Sequence, residues 1–274
     1  MVACRNALSL LPRLLRPGFP GRRLRRENAE PGPCIGSCFT DSRHVARRQF
    51  AAQERTTVPQ LLHVDSSADL HSSTSRDLTA RFAAEWSSFG AEHSVVRRDL
   101  HTSPLPHIPT NELHWAPRLR TPGRPVPVEA DALQRELIEE LIGADIVVIG
   151  APMYNWSIPS TLKAWIDYVH VPGITTTFDA VTEPLAGKPV IVVTSRGDQY
   201  GPGTPDELID HQIPPLQQVL GVALGMDVTF VRAELTLASR IPAMASWVGT
   251  SQSNKTTAQH EVDDLARQFA KHFG

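Results

Sequence analysis

From residue 59 to residue 274 the sequence contains no cysteine. This part of the protein therefore has no disulfide, no thiolate-bound metal and no cysteine nucleophile. No apolar run approaches the ~18 residues that cross a bilayer. The Leu-rich stretch that starts at Leu8 is interrupted by Arg13 and Arg16, which breaks the apolar core a secretory signal needs. The expectation is a cytoplasmic protein with no membrane partner.

Charge divides the chain in two. Residues 1–58 hold eleven arginines, no lysine and four acidic side chains, a net charge of +7, and all three cysteines: Cys4, Cys34 and Cys38. Pro17, Pro20, Pro31 and Pro33 and the cluster Arg22, Arg23, Arg25 and Arg26 fit no packed element, so a disordered Arg/Pro-rich extension is expected over 1–58. An Arg-rich, acid-poor start also resembles an organellar transit peptide. The spacing of Cys34 and Cys38 could suggest metal or redox chemistry; two unpaired cysteines in a disordered segment is the plainer reading. Residues 59–274 carry 16 basic and 25 acidic residues, a net charge of −9, which would repel nucleic acid.

Within 59–274, short apolar runs alternate with helical patterns. Leu61–Val64 reads as a strand that stops at Asp65-Ser66-Ser67. Leu78, Phe82, Trp86 and Phe89 mark one face of a helix capped by Ser73 or Ser75. His93–Leu100 reads as a second strand. Residues 101–128, with seven prolines, read as a long irregular loop. Leu133, Leu137, Ile138 and Leu141 mark a helix that closes at Gly143. The unbroken apolar run Ile146–Ile149 predicts a central parallel strand covered on both faces. A helix with Pro159 at its first position, strands at Val190–Thr194 and Val228–Val231, a helix opened by Pro214-Pro215 and a last helix through Val262, Leu265 and Phe269 complete the pattern. Five strand–helix alternations predict an α/β protein with helices on both faces of a parallel sheet. Its ligands are expected at the carboxyl ends of the strands.

Three loops there carry candidate chemistry. Residues 66–75 hold five serines and one threonine before a helix start, a hydroxyl and N–H set that can hold a phosphate. This loop lacks both the G-x-G-x-x-G pattern and a Walker lysine; a polar capping loop is the plainer reading. Ala151–Pro159 places Met153, Tyr154, Asn155 and Trp156 after the central strand, where aromatic and amide groups suit a flat heteroaromatic ligand. A buried aromatic plug would use the same residues. Thr194–Gly201 offers glycines for close backbone approach, Arg196 to offset negative charge and Tyr200 as a hydrogen-bond donor; an ordinary surface turn reads the same way.

Residues 151–167, Ala-Pro-Met-Tyr-Asn-Trp-Ser-Ile-Pro-Ser-Thr-Leu-Lys-Ala-Trp-Ile-Asp, resemble the signature of the FMN-dependent NADH:azoreductases of the flavodoxin-like quinone reductase superfamily. The Ser67…Ser73-Thr74-Ser75 and Thr194-Ser195-Arg196-Gly197 loops match the same pattern, and the resemblance covers about residues 60–272. It implies a flavodoxin-like three-layer α/β/α sandwich with a five-stranded parallel sheet in order 2-1-3-4-5, spanning 59–274. It implies FMN with its phosphate at Ser67, Ser73, Thr74 and Ser75 and its ring at Met153, Tyr154, Asn155 and Trp156. Ser195, Arg196 and Gly197 would then line the ring's pyrimidine edge. NADH or NADPH would be the donor, and quinones or azo compounds the acceptors, reduced in a ping-pong cycle. No protein nucleophile or metal is implied; Tyr200 is a candidate proton donor.

The resemblance also implies a homodimer with its sites at the interface. The helix after Pro159 points the same way, since Ala164, Tyr168 and Val171 add apolar surface beyond the Leu162, Trp165, Ile166, Val169 stripe. The chain departs from the family pattern in two places: Asp198 stands where a second glycine is usual, and the Gly173–Gly187 segment is short, although Phe178 is expected to line the substrate face. An electron-transfer flavodoxin that serves a protein partner is the alternative activity.

Overall fold

A computed structural model describes residues 58–179 and 183–274. The expectations for residues 1–58 fall, Val58 apart, outside the described residues.

Five strands, β1 (Gln60–Asp65), β2 (Ser94–Asp99), β3 (Ile146–Pro152), β4 (Pro189–Ser195) and β5 (Asp227–Ala233), form one sheet in the order β2-β1-β3-β4-β5. Every pairing is parallel. This is the flavodoxin-like order expected from the resemblance. β3 is central, and all seven of its residues are buried, as its unbroken apolar run requires. Alternation divides the strand residues between two cores. Val147, Ile149, Val190 and Val192 face helices α2 (Val128–Gly143) and α3 (Ser160–Val169). Ile146, Val148, Ile191 and Val193 face α1 (Thr74–Ser87) and α5 (Val248–Phe273). Arg81 of α1 clasps Asp263 of α5 through two hydrogen bonds of 2.7 and 2.6 Å.

The element starting at Ile213 departs from the regular helix expected. Only Ile213–Leu216 (α4) is α-helical, and Gln217–Ala223 continues as a π-helix. It closes where Leu224 N donates to Val219 O, and Gly225 follows at φ 69°. Pro159, expected at the first position of α3, instead occupies its cap.

The surplus apolar surface of α3 has a different partner from the one expected. Tyr168 and Val171 are fully buried within this chain. The Pro-rich loop folds over them: Leu113 joins the same core, and Gln134 Nε2 donates to both Leu113 O and Tyr168 O. Ala116 N donates to Pro172 O at 3.2 Å. This part of the loop is a packed wall, so the apolar surplus of α3 no longer argues for a second subunit. Among the described residues, no helix is long and apolar enough to cross a membrane, and no cluster of His, Cys, Asp and Glu could hold a metal ion.

Candidate functional site

The parallel order brings the loops after β1, β3 and β4 to the carboxyl end of the sheet. The β1 loop starts with two buried serines. Ser66 Oγ donates to Gly150 O at 2.7 Å and ties the loop to β3. Ser67 is held from the other side, its carbonyl accepting from Arg76 Nε and Nη2 at 3.0 and 2.7 Å. Asp69 accepts from His71 N, Ser72 N and Ser72 Oγ. These bonds hold its carboxyl down to a pKa of about 2. Ser73 is the α1 cap and accepts from Arg76 N; its hydroxyl lies 3.1 Å from Ser75 Oγ. Three consecutive hydroxyl residues, Ser73, Thr74 and Ser75, thus stand at the positive end of a 14-residue helix. A cavity of about 270 Å³ opens beside them, lined in part by Thr74, Thr236, Ser239 and Lys255.

The β3 loop is a tight hairpin turn. Tyr154 and Ser157 exchange backbone hydrogen bonds of 2.9 and 3.0 Å. Between them Asn155 and Trp156 sit at φ 49° and 66°, the paired left-handed residues of a type I′ turn. Asn tolerates this conformation; for Trp it is strained by roughly 1–2 kcal/mol. The turn holds the indole 54% exposed. Tyr154 does not stand free: its hydroxyl accepts from Ala68 N at 2.8 Å and lies 3.4 Å from Ser67 Oγ. It latches the hydroxyl loop to the aromatic one, a link between the two candidate subsites that the sequence does not announce. Met153 is fixed through its N–H to Ser195 O.

The β4 loop comes close through backbone rather than through charge. A Cβ on Gly197 would lie 2.6 Å from Leu237 Cδ1, so any larger residue there would have to displace the Leu237 side chain. Ser195 is buried at the strand end. The Arg196 side chain, expected to face a ligand's negative edge, points inward and is 1% exposed. Its Nη2 lies 3.0 Å from Asp210 Oδ2 and its Nη1 3.6 Å from Glu234 Oε1. Burial lowers the guanidinium pKa, and the two carboxylates oppose this. Tyr200 covers the cluster, its ring 5.9 Å from Arg196 Cζ. Burial, followed by the charges of Asp198 and Asp206, pushes the Tyr200 phenol up, so it remains a proton-bearing group at neutral pH. Asp198 is exposed and bonds the adjacent Gln199 N.

Several participants carry no local sequence signal. Gln212, fully buried, donates from Nε2 to Ala151 O at 2.7 Å. His211 N donates to Trp156 O at 3.0 Å and so steadies the exposed turn from a segment 55 residues on. Arg76 and Asp99 brace the hydroxyl loop. Phe178, expected to line a substrate face, meets Trp115 edge-on, with ring centroids 5.1 Å apart.

Comparison with known proteins agrees with this architecture. Residues 59–271 match the family model described as a flavodoxin-like fold. The FMN-dependent NADH:quinone oxidoreductase of Kineococcus radiotolerans is 47% identical over 210 residues, 77% of this chain and 99% of that protein. The protein of the same name from Streptomyces coelicolor is 40% identical over 215 residues, 77% and 95% of the two chains. Among solved structures, an FMN-dependent NADH-azoreductase from Bacillus anthracis in complex with FMN shares the fold, with a TM-score of 0.63 at 20% identity, over 77% of this chain and 99% of that one.

Proposed function

The chain belongs to the flavodoxin-like family of FMN-dependent NADH:quinone oxidoreductases, and from that premise we propose that it holds FMN across its three loops and uses NADH to reduce quinones or azo compounds. The observation that carries the reading is the hydroxyl loop at the start of α1 latched by Tyr154 to a turn that exposes an indole.

The donor set fits the cofactor. Ser67, Ser73, Thr74 and Ser75 would hold the phosphate through hydroxyls and helix N–H groups, a set suited to one terminal phosphate. Met153, Tyr154, Asn155 and Trp156 would hold the ring, and the backbone of Ser195, Arg196 and Gly197 would line its edge. The neutral Tyr200 phenol is the nearby group suited to deliver a proton to an acceptor. Bound FMN supplies the hydride chemistry, and the protein orients and shields it. Nicotinamide and acceptor would use one face in turn, which makes the cycle ping-pong.

Residues 59–274 would suffice for this activity, and a chain begun near Thr57 should be yellow and active. A homodimer is part of the proposal, supported by the apolar side chains left exposed at the ring end: Trp156 at 54%, Leu208 at 91% and Ile209 at 40%. A monomeric species with full activity in light scattering would overturn that part. The central test is an absorbance spectrum of the purified protein, identification of the flavin released by heat, and NADH titration. FMN and NADH oxidation without a partner protein are expected; FAD alone, or no turnover until a protein acceptor is added, would overturn the reading.

A further inference from the structure

We propose that Arg76 is the positioning residue of the phosphate subsite, a guanidinium clamp that closes the hydroxyl loop and cancels the carboxylates around it. The inference rests on the FMN reading above and extends it to a residue that would not touch the phosphate.

Arg76 is the third residue of α1. Its Nε and Nη2 both donate to Ser67 O, at 3.0 and 2.7 Å. The two ends of the loop are thereby joined, with Ala68–Ser75 enclosed between them. The opposite edge of the same fork donates to Asp99, Nη1 to Oδ2 at 2.8 Å and Nη2 to Oδ1 at 2.7 Å. Asp99 is itself anchored, as the last residue of β2, by His101 N and Thr102 N. Loop, helix and sheet edge are thus joined through one planar group. Asp65 adds a third carbonyl-or-carboxylate partner at 3.7 Å. The Arg76 side chain is 16% exposed, so its charge is weakly screened by solvent.

Charge explains why this matters for a phosphate in particular. Asp65, Asp69 and Asp99 place three carboxylates around the loop that would receive a group of about −1.5 to −2 charge. Arg76 neutralises the two it contacts. Without it the hydroxyls would remain, but they would offer their protons to an anion inside a ring of uncompensated negative charge. Lysine keeps the charge but lacks the planar fork that reaches a carbonyl and a carboxylate together.

The test compares FMN with riboflavin, which lacks the phosphate, by flavin fluorescence titration of the full chain. The proteins are wild type, Arg76→Gln, Arg76→Lys and Asp99→Asn, each checked by thermal melting. Wild type is expected to prefer FMN. Arg76→Gln should lower FMN affinity by roughly tenfold or more while riboflavin affinity barely moves. Arg76→Lys should recover part of the preference, and Asp99→Asn should lose part of it. The clamp is overturned if Arg76→Gln keeps the wild-type FMN-to-riboflavin ratio, or if both flavins weaken equally. If Arg76→Gln does not fold, an unchanged ratio in both Arg76→Lys and Asp99→Asn overturns it. A wild type that binds riboflavin as tightly as FMN would instead sink the phosphate reading on which the clamp depends.

Discussion

The two ends of the proposed site, one for the phosphate and one for the ring, each contain an arginine between carboxylates, and the two are built in opposite ways. At the phosphate end, Arg76 lies near the surface with aligned hydrogen bonds to Ser67 and Asp99. At the ring end, Arg196 is 1% exposed, and its Nε and Nη2 have no aligned acceptor even though Asp210 and Glu234 are near. The first end is held by directed bonds and the second by charge enclosed in protein. The turn in front of Arg196 is strained at Trp156, whereas the hydroxyl loop has only ordinary backbone angles and a good cap. The proposed phosphate end therefore resembles a finished receptacle, and the proposed ring end a sprung one that gives up stability to present an indole.

The largest effect that would test this contrast is on stability at the ring end. Arg196→Ala leaves Asp210 and Glu234 without their buried counter-charge and should cost about 3–5 kcal/mol. That lowers the melting temperature by about 10 °C, measurable by calorimetry. A change within the scatter of surface mutations would mean that the cluster is not a buried charge system.

At the phosphate end the expected loss is in affinity rather than folding. Ser73→Ala combined with Ser75→Ala removes two hydroxyls, each worth about 1.5–3 kcal/mol against a charged phosphate. FMN affinity should fall more than about a hundredfold, while loss of the cap costs stability only about 1 kcal/mol. Unchanged affinity by fluorescence titration would place the phosphate elsewhere.

Trp156→Gly sharpens the contrast because its two consequences have opposite signs. Relief of the left-handed backbone should stabilise the chain by about 1 kcal/mol, raising its melting temperature by roughly 2–4 °C, while flavin affinity and turnover fall. A variant that is less stable than wild type would show that the turn is not under strain.

The smallest effect concerns Asp69. Its pKa is depressed in the folded chain by the Ser72 hydroxyl and the Ser72 and His71 amides. The stability it contributes is therefore fully present above the ordinary carboxylate value of about 3.9 and is lost only as pH falls towards 2. Carboxyl NMR titration should place its midpoint near 2; a midpoint near 4 would mean that the loop is not closed by these bonds.

Much of this was legible beforehand, for a physical reason visible element by element. Ser73 was a candidate cap from its place before the Leu78–Phe82–Trp86 stripe, and it is the cap. The apolar run at Ile146–Ile149 named the buried central strand, because a strand covered on both faces cannot alternate. The three loops were placed by their position after strands. What could not be read was direction. Arg196 was expected to face a ligand, but nothing within a few residues reveals Asp210 and Glu234. Tyr168 and Val171 looked like interface surface, because periodicity counts apolar faces without saying what covers them. The segment over Tyr168 lies in a proline-rich loop with no periodic signal of its own.

The sequence by itself determined the order of strands and helices in residues 59–274, the difference in charge between residues 1–58 and 59–274, and the residue chemistry of each loop. These follow from interactions over one to four residues: capping, 3.6-residue and 2-residue apolar periods, and proline's missing N–H. The tertiary structure alone decided which loops share a site and which side chains are used to build it. Arg76 meets Asp99 across 23 residues, and Tyr154 meets Ser67 across 87. Those separations close only when the parallel sheet forms in its β2-β1-β3-β4-β5 order, because that order sets which strand ends become neighbours.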